Sequence, residues 1–194
     1  TNIFNAAVIT NTAHPRLLLK ENEEAAIQTL ISQSPEYHSV HSYIIEQANT
    51  FLTAPVLVYN PNISNRILET SREAITRIFY LSYAFRMTNN TAYRVKAEEV
   101  INTVCDFPIW VTYSLDVAEM CFAVSIGYDW LYDGLSTATK QKAREKILNY
   151  AFLTQKTAAF WDYTSNWNSV CIGGLTMGAL AILGDGTTQM DDEA

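Results

Sequence analysis

The feature that most constrains the fold is the stretch from Asn166 to Gly184, which is small and apolar on every side of a helix. Glycine and alanine alternate there with larger apolar residues: Gly173, Gly174, Gly178, Ala179 and Ala181 with Leu175, Met177, Leu180, Ile182 and Leu183. A glycine in an exposed helix costs roughly 1 kcal/mol relative to alanine. The accumulated glycines therefore predict a helix packed closely against neighbouring helices, inside a larger helical assembly.

Two asparagines and an indole stand in the first turn of this helix, at Asn166, Trp167 and Asn168. An asparagine side chain at a helix start can cap free backbone N–H groups, or it can donate to a ligand. Two interpretations are therefore open at this point. One is a capped core helix without chemistry, and the other is the mouth of a binding site.

The remaining sequence is also helical in its periodicity. Apolar spacing predicts helices over 20–34, 36–53, 64–87, 90–104, 113–133 and 137–160, with Ser64, Asn90 and Ser136 as N-caps, after a non-helical segment over 1–19. The helix at 113–133 is apolar all round, whereas the helix at 137–160 is amphipathic. Amphipathic helices alternate along the chain with helices that are apolar all round. This alternation predicts an all-α fold of helix hairpins in two concentric layers, an (α/α) toroid, rather than a four-helix bundle.

The helical series stops without an element that closes it. We therefore expect residues 1–194 to form the N-terminal part of an incomplete toroid. Uncovered apolar surface around Met177, Leu180 and Leu183 would then favour self-association of this chain.

Composition excludes several classes of function. The net charge of −7 argues against general affinity for nucleic acid or anionic membranes, and no apolar run is long enough for a membrane span. The three cysteines have no CxxC spacing and are typical of core residues. His38 and His41 share a helical face without a third ligand, so we predict no metal site. The chain has no P-loop or GxGxxG motif, and we expect no cofactor.

The segment between Lys96 and Lys140 contains no Lys or Arg, and its acidic residues include Asp106, Asp116, Glu119, Asp129 and Asp133. A buried carboxylate must be hydrogen-bonded or must raise its pKa, so these residues are structural anchors or acid–base groups. On a toroid, Asp116 or Glu119 with Asp129 could form the acid pair of a glycoside hydrolase. Four tryptophans and eleven tyrosines add flat surfaces that suit sugar rings.

Three segments resemble, in order, the N-terminal region of heparinase II/III-like polysaccharide lyases. They are His-Pro-Arg-Leu-Leu at 14–18, the run at 115–132 that contains Gly-Tyr-Asp-Trp-Leu-Tyr, and Asn-Trp-Asn-Ser-Val-Cys with Gly-Gly at 166–174. Together they span almost the whole chain. The resemblance implies an (α/α) toroid, normally followed by a β-sandwich domain that this sequence does not contain. It also implies cleavage of uronic-acid polysaccharides, glycosaminoglycan- or alginate-like, by β-elimination.

In such lyases an Asn and a His neutralise the substrate carboxylate, and a Tyr acts as base and acid. Asn166 or Asn168 matches the amide by position, with Asn168 as the leading candidate. No histidine follows in this segment, and the Tyr is expected beyond Ala194, in a C-terminal remainder with which this chain would assemble. The resemblance further implies a periplasmic or secreted protein, although the sequence does not begin with a signal peptide.

We expect the site where the helix from Asn166 faces the helix at 113–133. Trp167 or Trp130 would be the sugar platform, and the other substrate-binding residues would be Glu119, Asp129 and Tyr128. A hypothesis from a different class makes the chain a non-catalytic helical module that binds a glycan or a partner through the same aromatic cleft.

Overall fold

The computed structural model describes residues 13–62, 64–111 and 113–186, and within these ranges the protein is all-α, as predicted. Its α-helices are α1 (Glu24–Gln33), α2 (Pro35–Leu52), α3 (Leu68–Thr88), α4 (Thr91–Cys105), α5 (Ser114–Trp130), α6 (Thr137–Lys146), α7 (Leu153–Gln155) and α8 (Asn166–Ile182). A π-helical turn at Ile147–Phe152 joins α6 to α7, and 3-10 turns lie at Tyr132–Gly134 and Ala159–Asp162. The predicted non-helical start is confirmed for residues 13–19, whereas residues 1–12 and the acidic end at 187–194 lie outside the described residues.

Two of the predicted helix caps are confirmed. The side chain of Asn90 accepts from the backbone N–H of Ala92, and the hydroxyl of Ser136 accepts from that of Thr139. The cap at Ser64 was wrong, because α3 begins only at Leu68 and no side chain caps it.

The helix predicted over 137–160 is confirmed only in part, because helical structure runs without a break from Thr137 to Gln155 but does not continue to residue 160. The chain leaves α-helical geometry after Lys146, passes through the π-helical turn, and then makes the 3-10 turn before α8. The buried residues of the π-helical turn are Ile147, Leu148, Ala151 and Phe152, and their spacing in sequence is the one expected for an α-helix, so apolar periodicity does not distinguish the two.

Helices α3, α5 and α8 form one row and run parallel to one another. Ser71 and Asp116, near the starts of α3 and α5, are joined by a hydrogen bond, and Phe79 contacts Trp130 further along both helices. Helices α5 and α8 also run in the same direction, because Gly174 faces Ala118 and, further along both helices, Gly178 faces Cys121.

Helices α2, α4 and α6 form a second parallel row. Asn49 accepts from Tyr93, and further along both segments the carbonyl of Ala54 accepts from Lys96, so α2 and α4 run in the same direction. Glu98 accepts from the backbone of Ser136, and Asp106 accepts from Lys142 further along both helices, so α4 and α6 also run in the same direction. Only Asn89 and Asn90 separate α3 from α4, so those two helices run antiparallel, one in each row.

The central position of α5 explains why its sequence is apolar all round. Thirteen of its 17 residues are buried, whereas six of the 17 residues of α8 are. The prediction that α5 is more buried than residues 137–160 is confirmed, and residues 168–183 exceed that segment only slightly, with six of 16 residues buried against eight of 24. Because α8 ends the row within the described residues, Val170 is 37% and Leu180 is 41% exposed.

The cysteines are core residues, as predicted. Cys105, Cys121 and Cys171 are all buried and unpaired. Burial raises the pKa of Cys105 and of Cys121 to about 12, so both thiols stay protonated. No helix in the described ranges has both the length and the apolar character needed to cross a bilayer.

Candidate functional site

The carboxylate of Asp129 is an anchor for the N-terminal segment. It is fully buried and accepts from the backbone N–H groups of Arg16 and Leu17, at 3.0 and 2.8 Å. It also lies 2.6 Å from Nδ1 of His14. Three donors from one short segment thus converge on one carboxylate, which fixes residues 14–17 against the end of α5.

Asp185 completes this arrangement from the far side of His14, and we call His14, Arg16, Tyr128, Asp129 and Asp185 the His14 network. The carboxylate of Asp185 lies 2.7 Å from Nε2 of His14, and it accepts from the guanidinium of Arg16 at 2.8 Å and from the phenol of Tyr128 at 2.9 Å. Arg16 also donates to the backbone carbonyls of Ala181 and Leu183, at the C-terminal end of α8. The network therefore ties together the N-terminal segment, α5 and α8.

The pKa values in the His14 network follow from these contacts. Burial alone would lower the pKa of His14, but its hydrogen bonds to Asp129 and Asp185 raise it above the ordinary value. Burial would raise the pKa of Asp185, but hydrogen bonds from His14 and Tyr128 with the charges of His14 and Arg16 lower it. Burial raises the pKa of Tyr128, so its phenol stays neutral and donates.

The pKa shifts in the His14 network predict that the free energy of unfolding is largest at mildly acidic pH and decreases at both higher and lower pH. The raised pKa of His14 contributes stability that is complete below its ordinary pKa of 6.5 and is lost as pH rises through the folded value. The lowered pKa of Asp185 contributes stability that is complete above 3.8 and is lost as pH falls through its folded value.

Urea unfolding at a series of pH values, for wild type and His14→Gln, measures this effect. The stability difference between the two proteins should be largest between the two ordinary pKa values and should shrink as pH rises above 6.5. A difference that grows or stays constant up to pH about 9 would show that His14 is not charged in the folded state.

Trp130 also holds the N-terminal segment. Its side chain is only 6% exposed, its indole N–H donates to the carbonyl of Leu17 at 2.8 Å, and the guanidinium of Arg86 lies 5.3 Å from its ring. Trp130 also lines a second cavity, of about 350 Å³, together with Asp129, but too little of its ring is exposed for a sugar to stack on it. The predicted substrate-binding residues Tyr128, Asp129 and Trp130 are held in structural contacts at the end of α5 that is distant from the start of α8.

The other acidic residues of α5 are paired with arginines. Asp116 is fully buried and accepts from the guanidinium of Arg66 at 2.6 Å, and Glu119 accepts from Arg72 at 3.0 Å. Thirteen residues separate Asp116 from Asp129, which is about 20 Å along a helix, and Glu119 lies about 15 Å from Asp129. Both spacings exceed the 5–9.5 Å or so that a glycosidase acid pair needs, so the structure does not bring such a pair together.

An aromatic cleft lies at the start of α8. It has a volume of about 370 Å³ and is lined by Val111, Tyr113, Ser114, Gln155, Ala158, Ala159, Phe160, Tyr163 and Trp167. Tyr113 and Tyr163 are each 45% exposed, and each makes an edge-to-face contact with Trp167 at 6.4 Å. The cleft thus presents exposed aromatic surface beside a helix N-terminus, the arrangement expected for a sugar platform.

Trp167 differs from the other three tryptophans. Three indole N–H groups donate to backbone carbonyls, from Trp110 to Val104, from Trp130 to Leu17 and from Trp161 to Gln155. No residue in the part of the chain that the structure describes accepts from the indole of Trp167. Of the two predicted platforms, Trp167 is the one whose indole is available to a ligand.

The two asparagines of α8 have different environments. The amide of Asn168 donates to the carbonyls of Phe160 and Trp161, at 3.1 and 3.3 Å, so both of its N–H groups hold the preceding turn. Asn166 is exposed, and none of the described residues bonds its side chain. Ser165 precedes α8 without a side-chain capping bond, so the backbone N–H groups of Asn166 and Trp167 keep their donor capacity, whereas that of Asn168 donates to the carbonyl of Ser165 at 3.1 Å. The free amide is therefore Asn166, not the expected leading residue Asn168.

Sequence reasoning missed Tyr113, Gln155, Phe160 and Tyr163. The three aromatic residues could have been identified, because each lies within a few residues of a predicted helix end. Gln155 could not, because it lies inside the helix predicted over 137–160. His38 and His41 lie on α2, where Nδ1 of His41 is 3.0 Å from the hydroxyl of Tyr83. No group of three or more metal-ligating side chains is found within the described ranges.

Comparison with known proteins adds no relative to this picture. Neither the protein-family models nor the curated proteins include a match to this chain.

Proposed function

We propose that this chain is the N-terminal part of an (α/α) toroid polysaccharide lyase that acts in the periplasm or outside the cell. The resemblance of its three motifs supports the class of enzyme. The two parallel rows of helices support the toroid, because an arc of helix hairpins in two layers has parallel helices within each layer. The aromatic cleft at the start of α8 binds the uronic polysaccharide that the complete enzyme cleaves by β-elimination.

The observation that carries this proposal is the position of Trp167. Its ring lines a cleft of about 370 Å³ beside two half-exposed tyrosines, and it stands in the first turn of a 17-residue helix without a side-chain cap. An uncapped helix start carries partial positive charge and free N–H groups, which bind a carboxylate without Lys or Arg. A platform for the sugar ring and donors for its carboxylate therefore occur at adjacent residues.

Neutralising the carboxylate is the chemical contribution of this region. β-Elimination removes the proton next to the carboxylate, and the carbanion that forms spreads its charge onto the carboxylate oxygens. The amide of Asn166 and the N–H groups of α8 would donate to those oxygens and lower the energy of the carbanion. The base that takes the proton comes from the remainder of the enzyme.

Binding of uronic oligosaccharides tests the proposal. Isothermal titration calorimetry with hexasaccharides of alginate and of unsulfated chondroitin should give a Kd for at least one of them. Trp167→Ala should weaken binding by about tenfold or more, because burying an aromatic side chain against a ligand contributes roughly 1.5–3 kcal/mol. The control is Tyr37→Ala, which removes a 53% exposed aromatic residue on α2. Equal losses in both variants, or no binding of either polymer, would contradict the proposal.

The two asparagines should separate binding from stability. Asn166→Ala should weaken uronate binding about five- to tenfold, since one charge-assisted hydrogen bond is lost, and should leave the free energy of unfolding unchanged. Asn168→Ala should lower that free energy by about 1 kcal/mol, because two carbonyls of the preceding turn lose their donor. Urea unfolding and calorimetry on both variants measure this. Reversed effects would restore Asn168 as the ligand-binding amide.

A non-catalytic glycan-binding module is the second candidate. It is favoured by the positions of the three histidines, because none of them lines the aromatic cleft. Release of unsaturated product, followed by its ultraviolet absorbance, separates the two functions. Product formation by the chain with its C-terminal remainder supports the lyase, and binding without product in that complex supports the module.

A further inference from the structure

We propose that Arg144 and Lys140 form a binding site for a sulfate group, either a free sulfate ion or a sulfate ester on a glycan. The two cations lie four residues apart on α6, so they share one face of the helix. Their site lies near Asp185, which follows the end of α8, whereas the aromatic cleft lies at the start of that 17-residue helix. A distance of about 25 Å along α8 therefore separates the two, and the inference goes beyond the proposed function.

The charge of Arg144 is not compensated. Its guanidinium forms no ion pair within the part of the chain that the structure describes, and its side chain is half-buried. Each of the other six arginines pairs with a carboxylate: Arg16, Arg66, Arg72, Arg77, Arg86 and Arg94. A partly buried charge without a counter-charge is unfavourable, and a bound anion would offset that cost.

Tyr128 holds the guanidinium of Arg144 in place. The phenol donates its single hydrogen to Asp185 at 2.9 Å, so its oxygen accepts from Nη1 of Arg144 at 3.1 Å. Nε of Arg144 is covered by protein and has no acceptor in the described ranges. Nη2 also has no acceptor there, but it is open to solvent. Nη2 is therefore the nitrogen that a ligand can reach.

Lys140 supplies the second charge of the site. Its Nζ lies 4.3 Å from the ring centre of Tyr132, and that ring makes an edge-to-face contact with the ring of Tyr128 at 5.3 Å. The two cations thus contact adjoining tyrosines. Lys140, like Arg144, pairs with no carboxylate among the residues that the structure describes.

The carboxylates near the site are engaged elsewhere. Asp129 and Asp185 of the His14 network are matched by His14 and Arg16. Glu145, the neighbour of Arg144 in sequence, accepts from the amide of Gln141. Two positive charges are therefore left uncompensated on one face of a protein whose net charge is −7. This local excess attracts an anion to α6 rather than to the surface at large.

The geometry of the donors favours a tetrahedral anion over a carboxylate. A planar carboxylate pairs best with two parallel N–H groups of a guanidinium. That fork is only partly available here, because Nε of Arg144 is covered and Nη1 is bonded to Tyr128. The oxygens of a sulfate group point in several directions, so one can accept from Nη2 while another accepts from Nζ of Lys140.

The Nε–H signal of Arg144 in a proton–nitrogen NMR spectrum tests the site on the wild-type chain. Because Nε is covered, its hydrogen exchanges slowly with water and should be observable, and Arg144→Lys identifies the signal by its loss. Sodium sulfate, added at constant ionic strength, should shift this signal saturably. The Nε–H signals of Arg77 and Arg86, whose side chains are paired, should not move. Sodium acetate should need an about tenfold higher concentration, because a carboxylate loses one charge-assisted hydrogen bond.

Lys140→Gln tests the second cation. It should raise the Kd for sulfate about tenfold, because one charge-assisted hydrogen bond is lost. The matched control is Lys146→Gln, the same substitution on the same helix. Nζ of Lys146 also lies over a tyrosine, 3.9 Å from the ring centre of Tyr150, and has no carboxylate partner among the described residues. The control should change the Kd less than twofold, and circular dichroism melting checks that both variants fold.

Chondroitin hexasaccharides with and without sulfate separate the two sources of the anion. A Kd for the sulfated hexasaccharide at least tenfold below that of sodium sulfate assigns the site to a glycan sulfate, and equal values assign it to the free ion. The inference would be overturned by the absence of a saturable shift at Arg144 with sulfate. Equal binding of sulfate and acetate, or equal losses in Lys140→Gln and Lys146→Gln, would also overturn it.

Discussion

Replacing Asp129 with alanine is expected to lower the free energy of unfolding by about 3–5 kcal/mol. The carboxylate is fully buried and accepts from two backbone N–H groups and from His14. Its removal leaves those donors without a partner and leaves His14 with one carboxylate instead of two. Urea unfolding followed by circular dichroism measures the change.

The control for Asp129 is Asp133→Ala, which removes an exposed carboxylate three residues after the end of α5. This control should change the free energy of unfolding by less than about 0.5 kcal/mol. Asp129→Asn should fall between the two, because an amide oxygen still accepts from the backbone. Equal stability of Asp129→Ala and Asp133→Ala would show that residues 14–17 do not depend on the buried carboxylate.

The adjacent glycines of α8 are expected to respond to alanine in opposite directions. A Cβ at Gly174 would overlap the backbone carbonyl of Ala118, and backbone cannot move aside as a side chain does. Gly174→Ala should therefore cost about 3 kcal/mol, the upper part of the usual range for overpacking. A Cβ at Gly173 would meet nothing within 4 Å. Gly173→Ala should gain up to about 1 kcal/mol through helix propensity.

This pair tests the close parallel packing of α5 and α8. Both substitutions add one methyl group to the same turn of one helix, so intrinsic propensity is matched and only the surroundings differ. Thermal and urea unfolding of the two variants against wild type give the signs directly. A similar change in both, in either direction, would contradict the placement of Gly174 against Ala118.

Local sequence patterns predicted the helices well. Apolar periodicity and the caps at Asn90 and Ser136 depend on residues within one or two turns, so they are visible in the sequence. The all-round apolar pattern of α5 likewise predicted its central position. The same reasoning overestimated the burial of α8, because the composition of a helix does not say how many neighbours cover it.

Long-range contacts could not be predicted from the same patterns. His14 and Asp129 are 115 residues apart, so the roles of both residues appear only when the N-terminal segment is seen against α5. Two of the motifs that carry the resemblance, at 14–18 and at 115–132, contain the two sides of that contact. The choice between Asn166 and Asn168 likewise depends on the turn at Ala159–Asp162, which lies across the end of the helix predicted over 137–160.

The most direct test of the proposed glycan site uses the four indole N–H signals in a proton–nitrogen NMR spectrum. Trp110, Trp130 and Trp161 donate to backbone carbonyls, whereas Trp167 lines the cleft with its indole free. Each signal is assigned by single Trp→Phe substitutions. On titration with uronic hexasaccharides, the Trp167 signal should shift saturably and further than the other three. Saturable shifts at other tryptophans with none at Trp167, or no shift at any concentration, would contradict a glycan site at the start of α8.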